Sequence, residues 1–475
     1  MTISSRTKLF FALILILCVS LTLYYSSLNY FFFQDDFFEI NISRAGNLNE
    51  YLNFFKFRND IIAYRPISLQ NYFFLSRVIF GLNPIGYRIF TFVLLFLSSI
   101  LIAKIVEKIT ANKKTGLLAS FFWVTSSIHF MSLSWIAAGY NIIGTFFWLL
   151  TSVIFLNYLK NHNLGFYILS ILVFLLTVGS FEFSVTWPII FSFYFIFVLK
   201  NPPLKSLKIL APFILIAISY LFFRLIFIKV PKIIEYQVTF NLDSVKALFW
   251  YFLWSLNIPE EFKKQAVNNL IVFNSKFLSD FWLLVLKNFI GAIWIVALGI
   301  TLPLFYIFKQ KLHLNNRLIV FSIFWFVAGV FPVLILPNHT FTMYLTFASI
   351  GIYFLIAYLI TVSKRIFIAV PILGIWLFTS YTTLSFYKVN SWMINAQKTA
   401  HDANANLKQS FPTLPANSAV YYPLNSHWEK QALSGHAFIK AIYNDSSLLV
   451  YYNKYDLIED FNEGLTLPVN IYLPR

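Results

Sequence analysis

The sequence predicts a polytopic α-helical membrane protein that carries a small water-facing α/β domain at its C-terminal end. Three observations carry that expectation. Of 475 residues, 59% are hydrophobic and only 12% are charged, with a mean hydropathy of +0.71. Long apolar runs recur between short charged connections, and the composition turns polar after Tyr387. A soluble domain carries about 25% charged residues, so half that charge over this length cannot cover a water-exposed fold.

About 20 apolar residues cross a bilayer. Runs of that kind fall at 8–29, 86–106, 116–134, 139–158, 164–181, 183–199, 209–229, 288–308, 318–336, 345–362 and 366–386, which is about eleven spans in a domain covering 1–386. The first run is too long for a signal-peptide core, and Leu17 before Cys18 is not the small residue that lipoprotein processing requires, so it reads as a retained helix. Cys18 is the one cysteine, which excludes an intramolecular disulfide.

The net charge of +17 is explained by its distribution. With the N-terminus inside, one set of short connections holds fifteen bases, among them Arg6, Lys113 and Lys208, and one acid, Glu107, for a net +14. The remaining twenty-one bases and eighteen acids leave +3 on the other side. Lys and Arg gather in cytoplasmic loops, so the N-terminus is expected in the cytoplasm and the C-terminus outside. Nucleic acid is not needed as a partner. Nearly all carboxylates then lie at the outer ends of the helices, and an active site is expected to face outward.

Two outer loops are long, 30–85 and 230–287. The stretches Asn47 to Arg58, Ser68 to Phe80 and Asp243 to Leu256 are aromatic-rich and sparsely charged, as expected of helices lying in the interface plane. In the extracytoplasmic domain, 387–475, a helix over Ser391 to Phe411 ended by Pro412 precedes alternating runs at 418–424, 447–453 and 468–474 that read as strands.

Asp35 and Asp36 follow the first span, between two Phe-rich stretches. Carboxylates in such a setting cost desolvation energy, and one with a raised pKa accepts a proton from a hydroxyl or holds a divalent metal. A solvated loop start is the plainer alternative. Arg65, Arg77 and Arg88 either bind phosphate bidentately or snorkel to the interface. Arg224 and Lys229, near the outer end of the seventh span, are candidates for a lipid phosphate, with Glu182 as the alternative partner of Arg224. Glu182 is the only acid at the junction of spans five and six, and an ionisable group there is a functional candidate. His129 and Trp135 end the third span, and His339 and Tyr344 lie just before the tenth; either histidine also fits a plain interfacial role. Metal-ligating Cys/His spacing, a Gly-rich phosphate loop and a Gly-x-Ser-x-Gly elbow are all missing, which leaves zinc enzymes, P-loop ATPases and serine hydrolases unsupported.

The acidic pair after span one, then Tyr64-Arg-Pro-Ile-Ser-Leu, then Phe80-Gly-Leu-Asn-Pro-Ile-Gly-Tyr-Arg88, resembles the first outer loop and second span of GT-C membrane glycosyltransferases. The similarity is to the protein O-mannosyltransferase-like group, including the membrane part of the transmembrane and tetratricopeptide-repeat O-mannosyltransferases, over residues 9 to about 360. His129 with Trp135, and Glu182 with Pro188, match two further segments of that group. Phe181 stands where the group has the Lys of a Lys-Glu pair, Met131 where a carboxylate is frequent and Thr342 where an Arg often precedes the Tyr matched by Tyr344.

The resemblance implies transfer of a sugar from a polyprenyl-phosphate donor to a surface acceptor, whether protein, lipid or glycan, with inversion at the anomeric carbon. Asp35 would be the base and Asp36 its positioning partner or a metal ligand. Arg65, Arg224 and Lys229 would meet the donor phosphate, and His129, Glu182, His339 and Tyr344 would line the substrate. No cofactor is fixed, and a divalent metal is left open with Asp36 as its ligand. A transporter or flippase of lipid-linked sugars is the alternative. It would place polar groups or broken helices near the bilayer midplane, whereas these carboxylates crowd one surface. A non-enzymatic scaffold for the C-terminal domain would need no paired Asp at the membrane.

Overall fold

The computed structural model describes residues 5–58, 61–229, 231–267, 272–424, 426–463 and 468–471. Helix starts are written into the sequence as capping residues. Asn83, Asn112, Asn163, Asn274 and Asn315 each accept a backbone N–H of the helix they open, which satisfies donors that the first turn leaves free. Pro84 follows Asn83 at a position where the missing N–H costs nothing.

Each of the eleven expected runs contains helix. Among the described residues, seven helices are long and apolar enough to cross a membrane: Phe11–Asn29, Pro84–Thr110, Ile136–Asn161, Pro203–Phe227, Ser275–Lys309, Asn316–Leu334 and Phe367–Asn390. Two more runs are bent pairs, Lys113–Val124 with Ser127–Ser134 at 47° and Thr342–Ala348 with Ile350–Val362 at 53°, so the count reaches nine if each pair is one span. Leu164–Val178 and Glu182–Val198 are shorter. By length and composition, seven to nine of the eleven expected spans are matched, and the other two runs are these shorter apolar helices.

The bends have a physical cause. Breaking a helix inside an apolar bundle frees backbone groups that must be paired again within the protein. At the first break Ser127 N donates to Asn257 Oδ1 at 2.8 Å, and the Ser126 and Ser127 hydroxyls donate to the same oxygen at 3.1 Å. Ser380 Oγ donates to Thr125 O at 2.6 Å. Beside the second break, Trp123 Nε1 donates to Thr346 O at 2.6 Å. Gly351 lets the helix after that break approach its neighbour, because a Cβ there would lie 2.4 Å from Ser322 O.

One continuous apolar core runs through the bundle and into the C-terminal segment, with Trp123, Trp148, Trp187, Trp250, Trp254, Trp325 and Trp376 fully buried. The expected interface helix at Asp243 to Leu256 is helical over Leu242–Ser255, but Trp250, Tyr251 and Trp254 are buried, so that face packs inward. Beyond the bundle, Trp392–Ser410 is helical and capped by Ser391. Strands Ala419–Tyr421, Leu449–Tyr451 and Val469–Ile471 form a parallel sheet with the first in the centre, in register Ala419 to Leu449 and Ala419 to Val469. Short helices connect them, as parallel pairing demands.

Candidate functional site

The two adjacent aspartates are separated by the helix they open. Both lie in the first turn of Asp35–Ile42, where the helix dipole favours negative charge. Successive helical residues point about 100° apart, and here that divides burial from exposure. Asp36 is fully buried. Its Oδ1 accepts the Ala137 amide at 2.7 Å and its Oδ2 accepts the Phe33 amide at 3.1 Å. Burial pushes its carboxyl up to about 7, opposed by the Arg88 guanidinium and those two amides. Asp35 is exposed. Crowding by the surrounding protein still raises its pKa, with Arg65 opposing the rise. Glu39, one turn on, is buried, and desolvation followed by the charge of Asp35 lifts it to about 8. Gln70 Nε2 lies 3.5 Å from its carboxylate.

Arg88 does not snorkel. It is buried inside the chain, where it holds the carbonyls of Ser134 (2.9 Å), Phe31 (3.1 Å) and Tyr30. Arg88 and Asp36 together fasten the segment between the first helix and Asp35 to the loop 134–137. Each Asp36 oxygen accepts one backbone amide, and among the described residues no three His, Cys, Asp or Glu side chains are grouped to hold a metal ion.

Arg65 is placed against protein groups. Its Nε lies 3.2 and 3.1 Å from the two oxygens of Glu182 and its Nη2 lies 2.9 Å from Oε2, while the guanidinium rests 3.4 Å from the centroid of the Tyr140 ring. The pairing of Glu182 with Arg224 considered from the sequence gives way to this fork; Arg224 acts on Glu182 only through space. Arg224 occupies the last turn of Pro203–Phe227, and its buried Nε has no hydrogen-bond partner among the described residues. Lys229 lies past the helix end and is exposed, not a turn inside it.

His339 and Tyr344 join this group. The half-buried His339 ring packs 4.7 Å from Tyr236 and 6.0 Å from Tyr344, and burial, then the charge of Arg65, lowers its pKa. The Tyr344 ring packs at a tilt against Phe183, one residue beyond Glu182, at 5.6 Å. His129 stays apart. It is fully buried, its Nε2 lies 2.8 Å from Trp123 O and its ring packs on Trp123 at 4.4 Å. The sequence did not show this interior placement, since an apolar neighbourhood reads the same in sequence whether it faces lipid, ligand or core.

Glu260 escaped the sequence reading although Glu260 and Glu261 repeat the pattern of adjacent acids at a helix start, Glu261–Gln265. The buried Glu260 carboxylate accepts both the amide and the hydroxyl of Thr342 at 2.7 Å, and burial raises its pKa against those two bonds. Lys263 reaches Pro337 O at 3.4 Å and Thr340 Oγ1. Residues 260–263 thus grip both ends of the loop that carries His339 and Tyr344.

An apolar cavity of about 300 Å³ opens between the helices Thr186–Phe193 and Pro203–Phe227, lined by Val185, Pro188, Ile189, Ser192, Ile214, Ala217, Ile218 and Leu221. Leu221, the last lining residue on Pro203–Phe227, and Arg224 are three residues apart on that helix, a spacing that puts them on neighbouring positions of one face.

The chain matches no protein-family model and no curated protein. Among solved structures it is similar to the oligosaccharyltransferase of Archaeoglobus fulgidus: with zinc and sulfate (15% identity, TM-score 0.48, 94% of this chain and 62% of that one), in the apo form (13%, 0.49, 94% and 64%), and tethered to an acceptor peptide (12%, 0.46, 94% and 64%). The chain spans less than two thirds of the length of that protein. A likeness of this degree assigns neither family nor activity.

Proposed function

We propose that the protein is a membrane glycosyltransferase of the GT-C type that transfers a sugar from a polyprenyl-phosphate donor to a surface acceptor on the outer face, with inversion. The observation that carries this reading is the apolar cavity beside Pro203–Phe227 together with Arg224, which lies one turn beyond the lining residue Leu221 in the last turn of that helix. That arrangement suits an isoprenoid chain along the cavity and its phosphate at the buried Nε, which has no hydrogen-bond partner among the described residues, with Lys229 adding charge beyond the helix end.

In the reaction, the acceptor hydroxyl oxygen attacks the anomeric carbon and gives its proton to Asp35. The bond from that carbon to the phosphate oxygen breaks, and polyprenyl phosphate leaves with the electron pair. Arg224 steadies the charge that departs. Asp36 and Arg88 hold the backbone from which Asp35 projects, so the base is placed before substrate arrives. Arg65 and Glu182 set the position of Tyr140, and the Glu260 grip on Thr342 sets that of His339 and Tyr344, as walls for sugar or acceptor. The charge partition supports the cytoplasmic N-terminus and the outward-facing site. Purified protein incubated with a panel of polyprenyl-phosphate sugars should release free polyprenyl phosphate from at least one. No release from any, with donor transported intact across a vesicle membrane instead, would establish the flippase reading.

A further inference from the structure

Gln34, the residue immediately before Asp35, sits at φ 50 and ψ −127. Glycine adopts such a conformation freely, whereas a residue with a Cβ adopts it only when its surroundings hold it there. The restraint comes from the far end of the chain. Gln34 N donates to Ala432 O at 2.8 Å, and its own carbonyl accepts Phe37 N at 3.0 Å and so starts the helix that carries Asp35.

Further ties join the same two regions. Phe31 N donates to Gln397 Oε1 at 3.1 Å, Asn41 Nδ2 to Ala437 O at 2.7 Å and Arg44 Nη2 to Lys440 O at 2.8 Å. The rings of Phe37 and Phe438 meet edge to face at 5.1 Å. Contacts from residues 397–440 therefore fall on both sides of Asp35 and on the one strained peptide that sets its direction.

We propose that the C-terminal segment is a positioning element for Asp35: the Ala432 carbonyl holds Gln34 in its positive-φ conformation and thereby aims the carboxylate. The proposal rests on the reading of Asp35 as the base of the transfer reaction. It makes Gln34 a positioning residue, and it gives the C-terminal segment a part in the reaction without any contact to substrate.

The test uses the full-length protein with Phe438→Ala, Asn41→Ala as a milder second variant, Gln34→Gly, and Gln34→Gly combined with each of the first two. Amide exchange is followed over residues 31–37, and turnover is followed with a donor that the wild type uses. Phe438→Ala and Asn41→Ala should speed exchange of the Gln34 amide and lower kcat about tenfold or more with KM for donor little changed. Gln34→Gly should restore several-fold of that loss, because glycine keeps the conformation without the clamp. That rescue is what a merely structural contact would not give. Faster exchange with unchanged kcat, or a loss that Gln34→Gly does not relieve, would overturn the proposal. If the wild type turns over no donor, the transferase reading fails separately. The exchange data then decide the clamp alone: faster exchange at Gln34 upholds it and unchanged exchange refutes it.

Discussion

Arg65 and Glu182 are joined by a two-pronged ion pair, with Nη2 2.9 Å from Oε2, between side chains only 17% and 20% exposed. Removing one member of such a pair leaves the other charge largely buried and uncompensated, which costs roughly 3–5 kcal/mol when burial is complete and less with this exposure. Arg65→Ala should therefore lower thermal stability in detergent, and adding Glu182→Gln should recover part of the loss. If Arg65→Ala kept its melting temperature and lost only donor affinity, the guanidinium would belong to the phosphate after all.

Asp35 and Asp36 should respond differently to the same change. A positioned base contributes about 100- to 10,000-fold, so Asp35→Asn should lose most turnover while expression and donor binding persist. Asp36→Asn turns an amide toward two backbone N–H groups, and a buried mismatch of that kind costs roughly 1–3 kcal/mol. Its main effect should be a lower melting temperature, with turnover falling as the 33–37 segment loosens. Wild-type turnover in Asp35→Asn would remove it from the mechanism.

Glu39 makes stability depend on pH. Its folded pKa, about 8, lies above its ordinary value of 4.5. The native state thus keeps a proton that the unfolded state releases, and stability falls as pH rises from about 4.5 to about 8, then levels off. Asp36, at about 7, adds a fall in the same direction from about 4 to about 7. Glu39→Gln should flatten the decline, gaining stability over wild type at pH 8 but little at pH 4. An unchanged pH profile of the melting temperature would show that Glu39 is not held in its protonated form.

Thr342→Val removes one of the two bonds to Glu260 at a cost of about 1 kcal/mol. Glu260→Ala removes both and should free the loop bearing His339 and Tyr344. Amide exchange over residues 337–344 should rise modestly in the first variant and strongly in the second. Equal protection in all three proteins would mean that Lys263 and packing hold the loop without Glu260.

The +14 against +3 partition of charge expects a reporter fused after Arg475 to be active only outside the cytoplasm. Cytoplasmic activity would turn every carboxylate discussed above to the opposite face.

The membrane class and the helical runs were legible in the sequence because lipid forces each crossing segment to satisfy its own backbone, which leaves a long apolar run as its mark. Capping asparagines and the Ser391 and Pro412 boundaries are local for the same reason: the partners lie within a few residues. What the sequence could not decide depends on partners far away. The groups freed at the two bends are paired through Asn257 and Thr346, more than 100 residues from the groups they bond. Only the tertiary structure buries Asp36 against Ala137 and leaves Asp35 exposed, since neighbouring residues have the same sequence context and differ only in what the folded chain puts opposite each. It likewise gives Glu182 to Arg65, 117 residues away, because the choice between two arginines is made by geometry that composition and spacing do not encode.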